Sequence, residues 1–120
     1  FNGRTNKLVD SCYSWWVGSA ARAISDHLHI PPFWNEEGIT QYTLKSAQVL
    51  SGGFKDHAPS SEDPFHTFYG LAGLCVAGYL KDHNTQLLPE VDTLFCVPKD
   101  LAKRMRDYFK ARPFDPTKKE

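Results

Sequence analysis

The chain has 120 residues, a length that permits one small domain or a piece of a larger one. Hydrophobic residues make up 41% of it, enough for a core, which argues against a disordered chain. Fourteen basic and fourteen acidic residues cancel, so the chain carries no electrostatic footprint for nucleic acid or an anionic membrane, and no apolar run is long enough to span a bilayer.

Residues 11–28 read as a first helix. Trp16, Ala20, Ala23, Ile24 and His27 recur there at steps of three or four, which predicts an apolar stripe. Pro31-Pro32 blocks any continuation. Residues 40–50 read as a second helix, with Tyr42, Leu44, Ala47 and Leu50 apolar and Gly52-Gly53 as its stop. Residues 64–80 read as a third, apolar on nearly every side and therefore expected deep inside a helical assembly. Residues 99–110 fit a fourth, more polar helix. Residues 112–120 hold two prolines and a charged end and are expected to form a flexible tail. Nothing alternates like a strand, so an all-α structure of two or three antiparallel hairpins is expected. Asp10 and Asp63 each precede an aromatic-rich helix, about one hairpin apart. This fits either a repeat of stacked hairpins or two ordinary capped helices.

The chain opens Phe1-Asn2-Gly3-Arg4 and its only methionine is Met105, which predicts a piece cut from a longer protein. No signal peptide is legible. Three cysteines, Cys12, Cys75 and Cys96, are an odd count at irregular spacing. They suggest no disulfide framework and fit a reducing, cytoplasmic compartment. Cys75 lies in an apolar run and is expected to be a core thiol; Cys96 is expected to be structural.

Asp63-Pro64 is a strong helix start, because Asp is a preferred cap and Pro suits the first helical position. His66 then falls in the first turn. Asp10 is expected to cap the first helix in the same way, with Cys12 in a first turn whose dipole favours thiolate. If the two helices begin on the same side, Asp10, Cys12 and His66 converge. Zinc accepts carboxylate, thiolate and imidazole, and catalytic sites keep three protein ligands and an open position. The spacing equally fits a capping Asp, a core Cys and a hydrogen-bonded His, and His27, His29, His57 and His83 compete as ligands. His27 and His29 share a helix end but are not one turn apart, which suits a solvated role. Arg4, Lys7 and Tyr13 lie around the first helix start. They form either a phosphate clamp or ordinary surface charge.

Gly3-Arg4-Thr5-Asn6-Lys7-Leu8-Val9-Asp10-Ser11-Cys12-Tyr13-Ser14-Trp15-Trp16 closely resembles the zinc-site motif of protein prenyltransferase β subunits. Gly52-Gly53-Phe54 resembles the Gly-Gly-Phe of their repeats. Asp63-Pro64-Phe65-His66-Thr67-Phe68-Tyr69-Gly70-Leu71-Ala72-Gly73-Leu74 resembles the segment that carries their last zinc ligand. The likeness runs in order from residue 1 to about residue 98. It implies an α/α toroid of helical hairpins, of which residues 1–111 would supply the C-terminal part. It implies one zinc ion on Asp10, Cys12 and His66, and diphosphate contacts from Arg4, Lys7 and Tyr13. Trp16 and Phe65 would face substrate, and Asp56 aligns with an acid that helps bind magnesium in farnesyl enzymes, as readily as it fits a solvated loop acid. The family's upstream histidine and most of its lipid pocket have no counterpart in this chain, so lipid length is not legible.

Phe65 before His66, the pair Trp15-Trp16, and Leu94-Phe95-Cys96-Val97-Pro98 resemble the type II geranylgeranyl enzymes. Those act on Rab-type small GTPases with an escort protein and a separate α subunit. Asn6-Lys7-Leu8-Val9-Asp10 instead resembles the farnesyl version. Farnesyl and type I geranylgeranyl enzymes are the alternatives within the family. Outside it stands a non-catalytic helical scaffold with a structural zinc, which would need His57 or Cys96 as fourth ligand. A small-molecule terpenoid cyclase shares the toroid, but the acidic motif it needs is not seen in the sequence.

Overall fold

The computed structural model describes residues 1–79 and 89–112. Helix α1 spans Tyr13–Leu28 and α2 spans Glu36–Tyr42, continued by a π-helical turn over Thr43–Ala47. Helix α3 spans Pro64–Val76 and α4 spans Lys99–Lys110. Among the described residues there is no strand, only isolated bridges that pair Asn2 with Val9, Gln48 with Phe54 and Val91 with Pro98. No helix among them is long and apolar enough to cross a membrane. His83, the end of the predicted third helix at residue 80, and tail residues 113–120 lie outside the described residues.

Helix α1 ends where His29 turns left-handed and its amide donates to the Ser25 carbonyl, before Pro31 and Pro32. Its buried face is made of Ser14, Trp15, Gly18, Ser19, Ala21 and Ser25. The predicted stripe is therefore corrected: Trp16 and Ile24 are about half exposed, and Ala20 and His27 are exposed too. Small side chains face inward because α3 comes very close. A Cβ on Gly73 of α3 would fall 2.0 Å from Ser14 Oγ, so only glycine fits there. Trp15, 3% exposed, fills the adjoining core against Ala72 and Val76.

Helices α1 and α3 run parallel. Near their starts Ser14 Oγ donates to the Tyr69 carbonyl at 3.4 Å, and near their ends Arg22 Nη2 donates to the Val76 carbonyl at 2.8 Å. Helix α2 runs back between them in sequence. Glu36 at its start pairs with Arg22 late in α1, and the Tyr42 hydroxyl at its end reaches the Asp56 carbonyl at 3.2 Å and the Val9 carbonyl at 3.5 Å, ahead of α1. Its onset lies earlier than predicted because Asn35 caps it, accepting from the Gly38 amide at 2.8 Å, and Glu36 and Glu37 suit the first turn. It stops at Ala47, because Gln48 turns extended to pair with Phe54. Gly52 and Gly53, both with positive φ, make the intervening turn, and Phe54 packs with Ala47 and Leu74 in a second core. Helix α4 is tied to the preceding loop by Arg106, which donates to Asp92 Oδ2 at 2.5 Å. Helix α3 is less enclosed than expected, since Phe65 and Phe68 are 50% and 51% exposed.

Candidate metal centre

Residues 1–10 form a small loop closed by the Asn2–Val9 bridge, with the Lys7 amide donating to the Arg4 carbonyl at 3.3 Å across its tip. Asp10 follows, and its Oδ1 accepts from the Cys12 amide at 2.8 Å. Helix α1 proper begins one residue later, with Cys12 as its cap residue. This differs from the expected Asp10 cap, because the carboxylate closes a tight turn onto the amide two residues on instead of reaching into the helix. Asp63 does cap α3: Oδ1 accepts from the His66 amide at 2.9 Å. Its Oδ2 lies 2.5 Å from His66 Nδ1, while His66 Nε2 lies 3.5 Å from Asp10 Oδ1.

One ligand atom from each of Asp10, Cys12 and His66 lies within 4.8 Å of the others. Two parallel helix starts, placed side by side by the Ser14–Gly73 approach, bring them together. A single ion with bonds of about 2.0–2.3 Å spans such a set with minor side-chain adjustment. The mixture of thiol, imidazole and carboxylate is the donor set that zinc accepts. Neither His57 nor Cys96 joins the cluster. His57 Nδ1 sits 2.7 Å from Asp56 Oδ2, and Cys96 packs against the Trp15 core.

Cys12 is buried, and its thiol is pushed up to about 12 by that burial, by its hydrogen bond to Asp10 and by the charges of Asp10 and Asp56. The expectation that the helix dipole favours thiolate is thus corrected: desolvation and two carboxylates outweigh a partial charge. A bound cation is the change that would reverse this order, which fits the donor set to a metal. Tyr42 is likewise raised by burial and by Asp10 and Asp56. Burial pushes Asp56 up, but bonds from Ser60 and His57 outweigh it and leave the carboxyl below its ordinary value. The His66 amide and side chain hold Asp63 low.

Beside the three ligands lies an open cleft of about 530 Å³, lined by Arg4, Lys7, Tyr13, Asp10 and Asp56 among others. The Tyr13 ring lies over Gly3, where a Cβ would fall 2.0 Å from the phenol oxygen. Arg4 and Lys7 are exposed at the tip of the loop. On the other side, Phe65 stands 5.1 Å from the His66 ring and 4.7 Å from Tyr69, which meets Trp16 at 4.6 Å. Trp16 and Phe65 are exposed, whereas Trp15 is core. The sequence reading missed Ser11, Tyr42 and Thr67, which pin the surrounding loops. It took Asp63 as a cap alone, although its i,i+3 spacing to His66 was the available signal.

Parallel helix starts thus gather a carboxylate, a thiol and an imidazole beside a cleft of mixed charge, a helical scaffold with a candidate metal site. Residues 1–97 match the prenyltransferase alpha-alpha toroid domain, and the chain belongs to that family. It is 35% identical over 132 residues to the protein farnesyltransferase subunit beta of Schizosaccharomyces pombe, a match covering 91% of this chain and 34% of that subunit. It is 37% identical over 107 residues to the geranylgeranyl transferase type-2 subunit beta of Saccharomyces cerevisiae, covering 89% of this chain and 30% of that subunit. The solved structure of Candida albicans protein geranylgeranyltransferase-I complexed with GGPP superposes with a TM-score of 0.72 at 29% identity, covering 89% of this chain and 28% of that one. The chain thus spans about a third of the length of the curated relatives it matches.

Proposed function

We propose that this chain is the zinc-carrying part of a protein prenyltransferase β subunit of type II, acting with an α subunit in the cytoplasm. The reaction would move a geranylgeranyl group from its diphosphate to C-terminal cysteines of a Rab-type GTPase presented by an escort protein. One observation carries the reading: Asp10, Cys12 and His66 gather within 4.8 Å at the edge of the cleft that holds Arg4, Lys7 and Tyr13. When bound, zinc supplies a Lewis acid that keeps a substrate cysteine as thiolate near neutral pH.

The chain's own residues do the rest. An ionised Asp63 Oδ2 can only accept from His66 Nδ1, which selects the tautomer whose Nε2, turned toward Asp10, has its lone pair for a metal. In the reaction a sulfur–C1 bond forms while the C1–oxygen bond to diphosphate breaks. Negative charge gathers on the leaving group, where Arg4 and Lys7 meet it and the Tyr13 phenol donates a hydrogen bond. Trp16, Tyr69 and Phe65 offer an apolar wall for the isoprenoid and the acceptor peptide. A magnesium ion at Asp56 would have to displace the His57 contact.

The type II reading is supported by Phe65 ahead of His66, by Trp15-Trp16, and by likeness to a type-2 subunit. Likeness to a farnesyltransferase subunit supports the alternative. Single-turnover assays of the full protein with its α partner decide between them. Transfer from geranylgeranyl diphosphate to an escorted Rab-type GTPase, abolished by a chelator and restored by zinc, is the expected result. Efficient farnesylation of a free short peptide would overturn the subtype, and transfer that persists after zinc removal would overturn the metal role.

A further inference from the structure

The three ligands sit on two separate elements, with Asp10 and Cys12 at the start of α1 and His66 in α3. One short segment, residues 54–56, is bonded to both. On one side, Ser11 stands between the two α1 ligands and is 1% exposed. Its amide donates to the Asp56 carbonyl at 2.9 Å and its hydroxyl donates to the Lys55 carbonyl at 2.7 Å. On the other side, the Phe54 amide donates to Thr67 Oγ1 at 3.0 Å, and the Phe54 carbonyl accepts from the Asp63 amide at 3.2 Å. Asp63 in turn holds both the amide and the ring of His66.

We propose that segment 54–56 is a strap that fixes the spacing between the Asp10–Cys12 pair and His66, with the hydroxyls of Ser11 and Thr67 as its two side-chain anchors. The inference rests on the reading of Asp10, Cys12 and His66 as metal ligands. A donor atom tolerates little misplacement against a metal bond of about 2 Å, so directional hydrogen bonds between the two helix starts add to what the Ser14–Gly73 contact already fixes. Backbone carbonyls of the strap supply the acceptors on the α1 side. A backbone amide supplies the donor on the α3 side. Ser11 and Thr67 are positioning residues: neither belongs to the ligand cluster, and both act through the ligands beside them.

The test uses the full protein loaded with Co²⁺ in place of zinc, reading affinity by competition and geometry from the thiolate charge-transfer and ligand-field bands. Ser11→Ala and Thr67→Val each remove one hydroxyl anchor. Each is expected to weaken cobalt binding, by less than the roughly 10–100-fold loss that follows removal of a ligand's own hydrogen-bond partner, and to shift the ligand-field bands. Ser11→Thr and Thr67→Ser keep the hydroxyl and are expected to restore both. Because the two anchors serve one strap, the double variant is expected to lose little more than the worse single variant. Wild-type affinity and spectra in both single variants, with circular dichroism unchanged, would overturn the strap. Fully additive losses would do the same, since they describe two unrelated local defects. Failure of the wild-type protein to bind cobalt or zinc at all would instead remove the metal reading, and the strap with it.

Discussion

Asp63 has two carboxylate oxygens and gives each a different partner. One caps α3 and the other holds the His66 ring. Asn has a single acceptor oxygen and can serve only one of them. Asp63→Asn is therefore expected to keep α3 helical while lowering zinc affinity about 10–100-fold in a competition titration. Unchanged affinity would mean that packing alone orients His66. Lys7 makes a different kind of claim. If it meets charge as diphosphate leaves, Lys7→Ala should slow the single-turnover rate about a hundredfold and weaken lipid diphosphate binding much less. An unchanged rate would return Lys7 to a surface charge. The convergence of Asp10, Cys12 and His66 was legible because they sit inside long local motifs. Ser11 was not, because its hydroxyl partner is the carbonyl of Lys55, 44 positions away, and a backbone acceptor leaves no mark in a side-chain pattern.

At the scale of elements, α1 was readable from apolar spacing, α3 from Asp63-Pro64 and its apolar run, and α4 as a more polar helix over the same residues. The face of α1 was not. Periodicity finds large apolar residues, but the face that α3 needs is small. Gly73→Ala tests this directly, since the new methyl meets Ser14 Oγ, its Cβ and its backbone. The helices must part, and a stability loss of about 1–3 kcal/mol in denaturant melts is expected, together with weaker metal binding. Wild-type stability would show that the approach is looser than the geometry indicates. Helix α4 hangs on Asp92 instead. Burial pushes that carboxyl up, but Arg106 and the amides of Leu94 and Phe95 outweigh it and hold it below its ordinary value. A carboxyl lowered in the folded state stabilises the fold above its unfolded value, about 3.9, and that contribution fades as pH falls through the lower, folded value. Thermal melts between neutral pH and about pH 3 should therefore fall less steeply for Asp92→Asn than for wild type. Parallel slopes would count against the Arg106 contact as a source of acid sensitivity.

The whole molecule is open. Its radius of gyration is 16.8 Å with extents of 53 × 34 × 34 Å. A compact domain of this length would have a radius near about 13–14 Å. Trp16, Ile24, Phe65, Phe68 and Phe109 are each about half exposed or more, and large apolar side chains left open in this way favour association. The 120-residue chain by itself is expected to self-associate or melt broadly in ultracentrifugation and calorimetry. A monomer with a sharp, high-temperature transition would contradict this. The toroid itself came from the resemblance of motifs, because helix periodicity gives element positions but not the circular order in which hairpins pack.

The parallel seating of α1 and α3 has one more consequence. A slip of one helical turn between them would move His66 by about 5.4 Å, more than twice a zinc–ligand bond. A chain folded one turn out of step would present two donors in place of three, too few for the three-ligand site proposed above. If these three side chains hold an ion, its retention would act as an error check on assembly, sorting chains whose helices are in step from those that are not.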